Sequence, residues 1–263
     1  MTQLCLQANV HAFFTRPNAP RVRHLHIEAV LRPGGTTSEK WHQPPSLDWL
    51  TPVLRSARSL RLTFAPELMF SAGRGSLRER TLGALLFVCT ALEALHIDLV
   101  WLFSLHRARW RDALLPRALP VTVRRLTLET SHLISLPGHQ ESEPLDAPEF
   151  QGLEHFELRS NEIRVESLDA FSQHRPCRLT LEAASRISVP REVASAVVHE
   201  ARELVAGGLQ FELCCPTQDC IGMSTVWDQT MPLTLQETQL LEELRSWFVK
   251  RSNLVQLSAE EAM

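Results

Sequence analysis

A short strand pattern, apolar-x-apolar, recurs seven times along this chain of 263 residues. The copies begin at Leu25, Leu60, Leu95, Leu126, Phe156, Leu179 and Leu209, at spacings of 35, 35, 31, 30, 23 and 30 residues. Alternate residues of a strand point to opposite sides of a sheet, so the two apolar positions face inward and the residue between them faces outward. One such strand cannot bury its apolar side alone. The recurrence therefore predicts stacked repeats, in which each strand packs on the next.

Apolar residues with helical spacing occupy three of the connections between these strands. They lie around Leu50 and Leu54, around Leu85 and Leu86, and from Val193 to Leu204. A spacing of three and four residues is typical of a helix with one buried face. We therefore expect an α/β fold over residues 1–213, a solenoid with one curved parallel sheet and backing helices.

The repeat pattern ends after Phe211, and residues 214–263 are predicted as a loop-rich link followed by a capping helix. Thr234 and Glu237 have the spacing of a capping box, which marks a helix start. Leu240, Leu244 and Trp247 then form an apolar stripe that also includes Leu241 and Phe248. Solenoids need such a terminal element to cover the open end of the last repeat. The alternative is a helix that binds a partner.

The inward strand positions are predicted to form the core. This set consists of Leu25, Ile27, Leu95, Ile97, Leu126, Leu128, Phe156, Leu158, Leu179 and Leu181. Its burial, together with parallel pairing of the strands, is the direct structural test of the repeat interpretation.

One copy resembles the consensus of leucine-rich repeat proteins through Leu153-x-x-Phe156-x-Leu158-x-x-Asn161-x-Ile163. In that family the asparagine side chain hydrogen-bonds the turn after the strand, which the resemblance implies for Asn161. Three other copies depart from the consensus at this position, where they have Val100, Ser131 and Ala184. Stacked asparagines are therefore not expected to hold these turns.

The long, uneven repeats are most similar to those of fungal F-box proteins with leucine-rich repeats, over roughly residues 20–213. This resemblance implies a role in selecting substrates for a cullin-type ubiquitin ligase. No F-box is recognised before the first repeat. Three explanations stay open: a fragment, a truncated gene model, or a paralogue without ligase coupling.

Composition narrows the class of partner. A net charge of −3 and a pI near 6.4 do not favour electrostatic attraction to nucleic acid or an anionic membrane. No apolar run approaches the ~18–20 residues of a membrane span. The six cysteines are scattered and no asparagine lies in a glycosylation sequon, which disfavours a secreted repeat receptor. We therefore expect an intracellular protein, cytoplasmic or nuclear, that binds another protein.

The outward strand positions are the first candidate binding site. Parallel strands bring them into columns, with arginines and histidines on the leading side and acids on the trailing side. The candidates are His26, Arg61, His96, Asp98, Arg125, Glu129, Glu157, Arg159, Arg178 and Glu182. A surface of mixed charge favours a protein partner, although the same charges can also pair with one another across strands. The second candidate is the long loop from Arg32 to Pro45, which carries Trp41 and His42.

No linear motif for catalysis, a metal or a cofactor is present. Cys214-Cys215-x4-Cys220 lacks the paired Cys-x2-Cys spacing of zinc sites, and no Gly-x-Ser-x-Gly, His-Glu-x-x-His or Gly-x-Gly-x-x-Gly occurs. The sequence thus favours a non-enzymatic interaction scaffold without a cofactor. Two alternatives stay open: an enzyme whose site is not visible as a linear motif, and a small-ligand binder that depends on the histidines.

Overall fold

The computed structural model describes residues 21–29, 50–64, 85–98, 120–130, 133–136, 152–169, 171, 177–224 and 232–250. The fold is α/β, with strands that pair in parallel within each of two compact units. The first unit consists of Met1–Glu129 and Asp146–Leu153, and the second consists of Thr130–Leu145 and Glu154–Met263. Among the described helices, none has the length and apolar character needed to cross a membrane.

The described residues of the first unit form four parallel strands in sequence order, and their register is the one that the repeat predicts. The strands are β1 (His24–Ala29), β2 (Ser59–Phe64), β3 (Ala94–Asp98) and β4 (Arg125–Glu129). Leu25 pairs with Leu60, Leu60 with Leu95, and Leu95 with Leu126. The first four copies of the sequence pattern are therefore aligned position by position.

Hydrogen bonds before each strand repeat from one copy to the next. The carbonyl of Arg23 accepts the N–H groups of Arg58 and Ser59. The carbonyl of Arg58 accepts those of Glu93 and Ala94, and the carbonyl of Glu93 accepts those of Arg124 and Arg125, all at 2.7–3.0 Å. Because buried backbone donors must be paired, these shared acceptors join each copy to the next just ahead of the strand.

The core of the first unit lies on the inward side of its strands. Leu60, Leu62, Leu95, Ile97, Leu126 and Leu128 are all buried. Helix α1 (Thr51–Ser56) buries Val53 and Leu54, and a helical turn at residues 85–88 buries Leu85 and Leu86. Helical connections were predicted at both places.

The predicted burial of Leu25 and Ile27 is wrong, since both are only partly buried. Strand β1 lies at the end of the strand order, with β2 as its one neighbour among the described strands. A residue in an edge strand lacks cover on one side, which accounts for the incomplete burial.

Six strands lie within the described part of the second unit, and two of them are unusually long. They are β5 (Leu133–Leu136), β6 (His155–Val165), β7 (Arg178–Pro190), β8 (Gln210–Cys215), β9 (Ile221–Ser224) and β10 (Phe248–Lys250). Strands β6 and β7 have 11 and 13 residues. Each is long enough to pair with different neighbours along its two halves.

The first halves of β6 and β7 continue through β8 to β10, whereas their second halves pair with β5 and β9. The second series has its own apolar-x-apolar pattern, which the sequence analysis did not identify. It consists of Ile134 and Leu136, Ile163 and Val165, Ile187 and Val189, and Ile221 and Met223. All but Met223 are buried, so this second ladder belongs to the core. The predicted core residues of the first ladder, from Phe156 to Leu181, are buried as expected.

Helix α2 (Ala194–Ala206) turns Val197, Val198, Ala201 and Leu204 inward, as the helical spacing predicts. Helix α3 (Leu235–Ser246) begins with the predicted capping box, because Thr234 accepts from the Glu237 N–H and Glu237 accepts from the Thr234 N–H. A bidentate contact between Arg202 and Glu243 joins the two helices.

The residues after Phe211 are more ordered than the predicted loop-rich link. Strand β8 extends to Cys215 and β9 follows at Ile221–Ser224. The apolar stripe of the last helix also divides: Leu244 is buried in α3, whereas Phe248 belongs to β10, which pairs with β8. Trp247 lies between them, with its ring 5.5 Å from that of Phe211.

Candidate functional site

The outer face of each unit is formed by the strand residues that point away from the core. In the first unit, His26, Arg61, His96 and Thr127 are aligned across β1 to β4 as the central column. Ala94 and Arg125 lie in the leading column, and Asp98 and Glu129 lie in the trailing one. The parallel register therefore brings together the first six of the ten strand residues singled out from the sequence.

Charges on the outer face of the first unit pair diagonally, from the central column to the trailing column. His96 Nε2 lies 2.5 Å from Glu129 Oε2, and Arg61 Nη2 lies 3.6 Å from the same oxygen. His26 Nε2 lies 2.7 Å from Thr63 Oγ1 on the neighbouring strand. The His26 and His96 contacts join diagonal neighbours on adjacent strands, which are within reach of long side chains, whereas Arg61 reaches Glu129 across β3.

Arg125 differs from the other cations of this face. It is exposed, and its guanidinium makes no ion pair within the part of the chain that the structure describes. Arg61 is also half exposed, at 49% of its side chain. The outer face of the first unit therefore presents positive charge to solvent in its leading column, at Arg125, and in its central column, at Arg61.

The last predicted repeat pairs two residues later than its sequence pattern suggested. Phe211 pairs with Leu179, and Glu212 pairs with Thr180. The central column of the second unit is therefore Glu157, Thr180 and Glu212, and Gln210 belongs to the leading column beside Arg178. A slip of two residues keeps every side chain on its own face, so the apolar pattern alone does not exclude it.

Glu212 is the centre of a buried hydrogen-bond network that the sequence analysis missed. Its side chain is 8% exposed. Oε2 accepts from Arg178 Nε at 3.1 Å, Arg178 Nη2 at 2.6 Å and, weakly, Thr180 Oγ1 at 3.5 Å. Oε1 accepts from Gln210 Nε2 at 2.7 Å. A buried carboxylate needs such donors, because removing an ionised group from water without them is very costly.

A second ion-pair group lies on the same face. Arg159 Nε is 3.0 Å from Glu157 Oε1 and 3.2 Å from Glu182 Oε2, so one guanidinium bridges two neighbouring strands. Glu182 is almost fully buried, at 6% of its side chain. The last four sequence candidates, Glu157, Arg159, Arg178 and Glu182, are thus engaged with one another or with Glu212.

Three carboxylates and two guanidiniums leave this part of the second unit with an excess of negative charge. Cys214 lies in its trailing column, next to Glu182. Burial, and then the carboxylates of Glu212, Glu182 and Glu157, raise the pKa of the Cys214 thiol to about 12. Burial likewise raises the pKa values of Cys89 and Cys215 to about 11. These thiols are protonated at neutral pH and are poor nucleophiles, since the thiolate is the reactive form.

A cavity of about 350 Å³ lies at the leading edge of the first unit, ahead of its strands. It is lined by Arg58, Ala91, Glu93, Thr122 and Arg124. These residues occupy equivalent positions just before β2, β3 and β4. The sequence analysis considered only the strands and loops and did not identify this cavity. The available signal was the run of charges at one repeat position, Arg23, Arg58, Glu93 and Arg124.

The remaining sequence candidates have other outcomes. Trp41 and His42, with the loop that carries them, lie outside the described residues. Asn161 does not follow the end of a strand but lies inside β6, where the register with β7 shifts between Ser160 and Glu162. Its backbone carbonyl accepts a hydrogen bond from Ser185 Oγ at 2.8 Å.

Among the described residues, no group of three His, Cys, Asp or Glu side chains is placed to hold a metal ion.

Comparison with known proteins gives no relative for this chain: no protein-family model, no curated protein and no solved structure matches it.

Proposed function

We propose that this chain is a non-enzymatic protein-interaction scaffold, and that the outer face of β1 to β4 is the surface that binds the partner. The observation that carries the proposal is the difference in exposure between the two outer faces. In the second unit, Glu182 and Glu212 are buried and bonded to arginines. In the first unit, Arg61 in the central column of β2 and Arg125 in the leading column of β4 are exposed.

Exposed arginines on a rigid sheet suit recognition of an acidic protein surface. Neighbouring strands lie ~4.8 Å apart, so the columns present charge at fixed intervals. Arginine is also enriched among the residues that dominate binding energy at interfaces. Complementary charge mainly increases the association rate and the specificity, which fits a scaffold that selects among partners.

The more specific proposal is a repeat region of the leucine-rich type that recognises substrates for a cullin-type ubiquitin ligase. Its support is the sequence resemblance, together with the in-register parallel strands and the shared acceptors before β2, β3 and β4. Such repeats act by binding, which agrees with the surface described above.

Charge reversal at Arg125 tests the proposed face. Proteins captured by cross-linking from cell extract would be purified, and association rates would be measured at low and high salt for the native chain and for Arg125→Glu. We expect association at low salt to slow about tenfold, toward the lower end of electrostatic steering effects. The difference should shrink as salt rises, because screening acts within ~8 Å at physiological ionic strength.

Arg55→Glu is the matched control, because Arg55 is an exposed residue in the last turn of α1 and not on the outer face. It changes the net charge by the same amount. Equal association rates for the two variants at low salt would reject the outer face as the binding site. Arg178 is unsuitable for this test, since its contact with the buried Glu212 couples any substitution to stability.

A further inference from the structure

Two thiols of the second unit lie close together in the connection between β8 and β9. Cys215 is the last residue of β8, and Cys220 directly precedes β9. The carbonyl oxygen of Thr217 accepts from Cys215 Sγ at 3.0 Å and from the Cys220 N–H at 3.1 Å. The sum of these two distances, about 6 Å, is the upper limit of the separation between Cys215 Sγ and the Cys220 backbone nitrogen. The Thr217 hydroxyl also contacts Cys220 Sγ, at 3.4 Å.

The backbone of this connection has little freedom to separate the two thiols. Pro216 fixes its own φ angle, and Gln218–Cys220 forms one turn of 3-10 helix. The side chain of Gln218 donates to the Arg245 carbonyl at 3.1 Å, which ties the connection to the end of α3. Groups held together in this way react as if at a high effective concentration. A small movement of the two side chains can therefore bring their sulfur atoms to bonding distance.

The two thiols differ in their access to solvent. Cys215 is fully buried, at 0% exposure, whereas Cys220 is partly exposed and follows four exposed residues, 216–219. Burial, and then the nearby Cys220 thiolate, raise the pKa of the Cys215 thiol to about 11. A reagent from solvent therefore meets Cys220 first, and Cys215 is placed to react second, with a neighbour that has already been modified.

We propose that Cys215 and Cys220 form a redox pair, which a low-molecular-weight disulfide such as glutathione disulfide converts to an intrachain disulfide. The Cys220 thiolate attacks one sulfur of the reagent, breaks its S–S bond and expels one glutathione thiolate. Cys215 then loses its proton, attacks the Cys220 sulfur of the mixed disulfide and expels the second glutathione thiolate. The two thiol protons pass through solvent to the two glutathione thiolates. The chain thus loses two electrons and two hydrogens, and the reagent gains them.

Cys214 is not expected to take part, although it precedes Cys215 directly. Successive residues of a strand point to opposite sides of the sheet, and Cys214 lies in the trailing column of the outer face, next to Glu182. The redox pair belongs to the second unit, so this inference does not depend on the binding surface proposed for the first.

Oxidation followed by peptide mapping tests the pair. The native chain would be incubated with glutathione disulfide, quenched with acid, alkylated in denaturant and digested with trypsin, which leaves Cys214, Cys215 and Cys220 together in the peptide 203–245. We expect this peptide to lose two alkylatable thiols and to carry an internal disulfide without bound glutathione. Reduction with dithiothreitol should restore both thiols. The exposed Cys177 serves as an internal reference for the reagent, and it should carry glutathione.

Single variants assign the bond and keep the test independent of any one substitution. Cys214→Ser should still form the internal disulfide, and so should Cys177→Ser. In Cys215→Ser the reaction should stop at the first step, with glutathione bound to Cys220. In Cys220→Ser the peptide should carry neither an internal disulfide nor glutathione.

Several results would overturn the proposal. One is a native peptide that keeps all three thiols while Cys177 carries glutathione, and another is stable glutathione on Cys220 with no internal disulfide. Loss of the bond in Cys214→Ser would assign it to another pair. Circular dichroism would be recorded before and after oxidation, and loss of the native spectrum would show that the bond forms only in an unfolded chain.

Discussion

Replacing Glu212 by glutamine should destabilise the second unit by about 2 kcal/mol. The substitution keeps the shape of the side chain but turns one acceptor oxygen into an NH2 donor. If the remaining oxygen faces Arg178, the new NH2 group lies against the Nε2 donor of Gln210. If the side chain flips, the NH2 group lies against the guanidinium donors of Arg178 instead. In either orientation a hydrogen bond to a charged group is lost, which typically costs ~1.5–3 kcal/mol.

Two further effects decide where in that range the value falls. Removing one member of a buried ion pair costs ~3–5 kcal/mol when the other charge is left buried, but the side chain of Arg178 is 44% exposed and can be solvated. Loss of the negative charge also relieves repulsion from Glu182 and Glu157. Both effects reduce the cost, so we expect a value of about 2 kcal/mol.

Urea denaturation with a matched exposed variant would measure this cost. With a urea dependence of ~1–3 kcal/mol/M, the midpoint for Glu212→Gln should fall by roughly 1 M. Glu93→Gln makes the same chemical change at a salt bridge that is more than half exposed, and it should cost ~0–1 kcal/mol. Hydrogen exchange in β8, where the Leu213 N–H bonds to the Trp247 carbonyl, would assign the loss to the second unit.

A double-mutant cycle with Arg178→Gln identifies the partner. If Arg178 provides most of the interaction, the double variant should cost little more than Glu212→Gln alone, with a coupling of ~1–2 kcal/mol. Equal costs for Glu212→Gln and Glu93→Gln would refute the reasoning, because burial would then add nothing to the hydrogen bonds. A more stable Glu212→Gln variant would refute it as well, and would show that repulsion among the carboxylates dominates.

Two other predictions follow from ionisation. Brief maleimide treatment at pH 8 should label the exposed Cys177 and leave Cys214 unmodified until urea unfolds the chain, because burial and nearby carboxylates raise the pKa of Cys214 to about 12; peptide mapping that finds equal labelling would contradict this. The pKa of Glu237 is lowered from its ordinary value of 4.5, first by the Thr234 backbone N–H and then by the Thr234 hydroxyl. The ionised Glu237 therefore stabilises α3 fully above pH 4.5, and this stabilisation is lost as the pH falls through the lowered pKa. Between neutral and acid pH, circular dichroism should therefore show a smaller loss of helix in Glu237→Gln than in the native chain. Identical acid titrations of the two proteins would refute this prediction.

The strand cores and the register of the first unit were predictable because their signals are local and redundant. Each copy has two inward apolar residues, and the equal spacing of 35 residues between the first three copies leaves one obvious alignment. The register at β8 could not be read in this way. Leu209, Phe211 and Leu213 all face inward, so shifts of two residues satisfy the same pattern. The turn after α2, where Gly208 has a positive φ of 92°, sets where the strand begins.

The second ladder was missed because a bulge interrupts the alternation that reveals a strand. In β6, Phe156 and Leu158 are buried, and then Ile163 and Val165, so the buried positions change from even to odd numbers. The register shift between Ser160 and Glu162 absorbs the extra residue of β7. A pattern of strict alternation therefore ends where the bulge begins, although the strand itself continues.

Burial of the charged candidates is the property that sequence patterns represent least well. Leu179, Thr180, Leu181, Glu182 and Ala183 are all buried, so this part of β7 is buried on both faces although its sequence alternates. The pairing of Arg178 with Glu212 depends on the register of β8, which differs by two residues from the predicted one. The same residue types occupy both outer faces, yet in the second unit they are largely occupied with one another, whereas Arg125 in the first unit remains exposed. An already paired and buried charge gains little from a new partner. The exposure of the charges, rather than their residue type, is therefore what favours the first unit as the proposed binding surface.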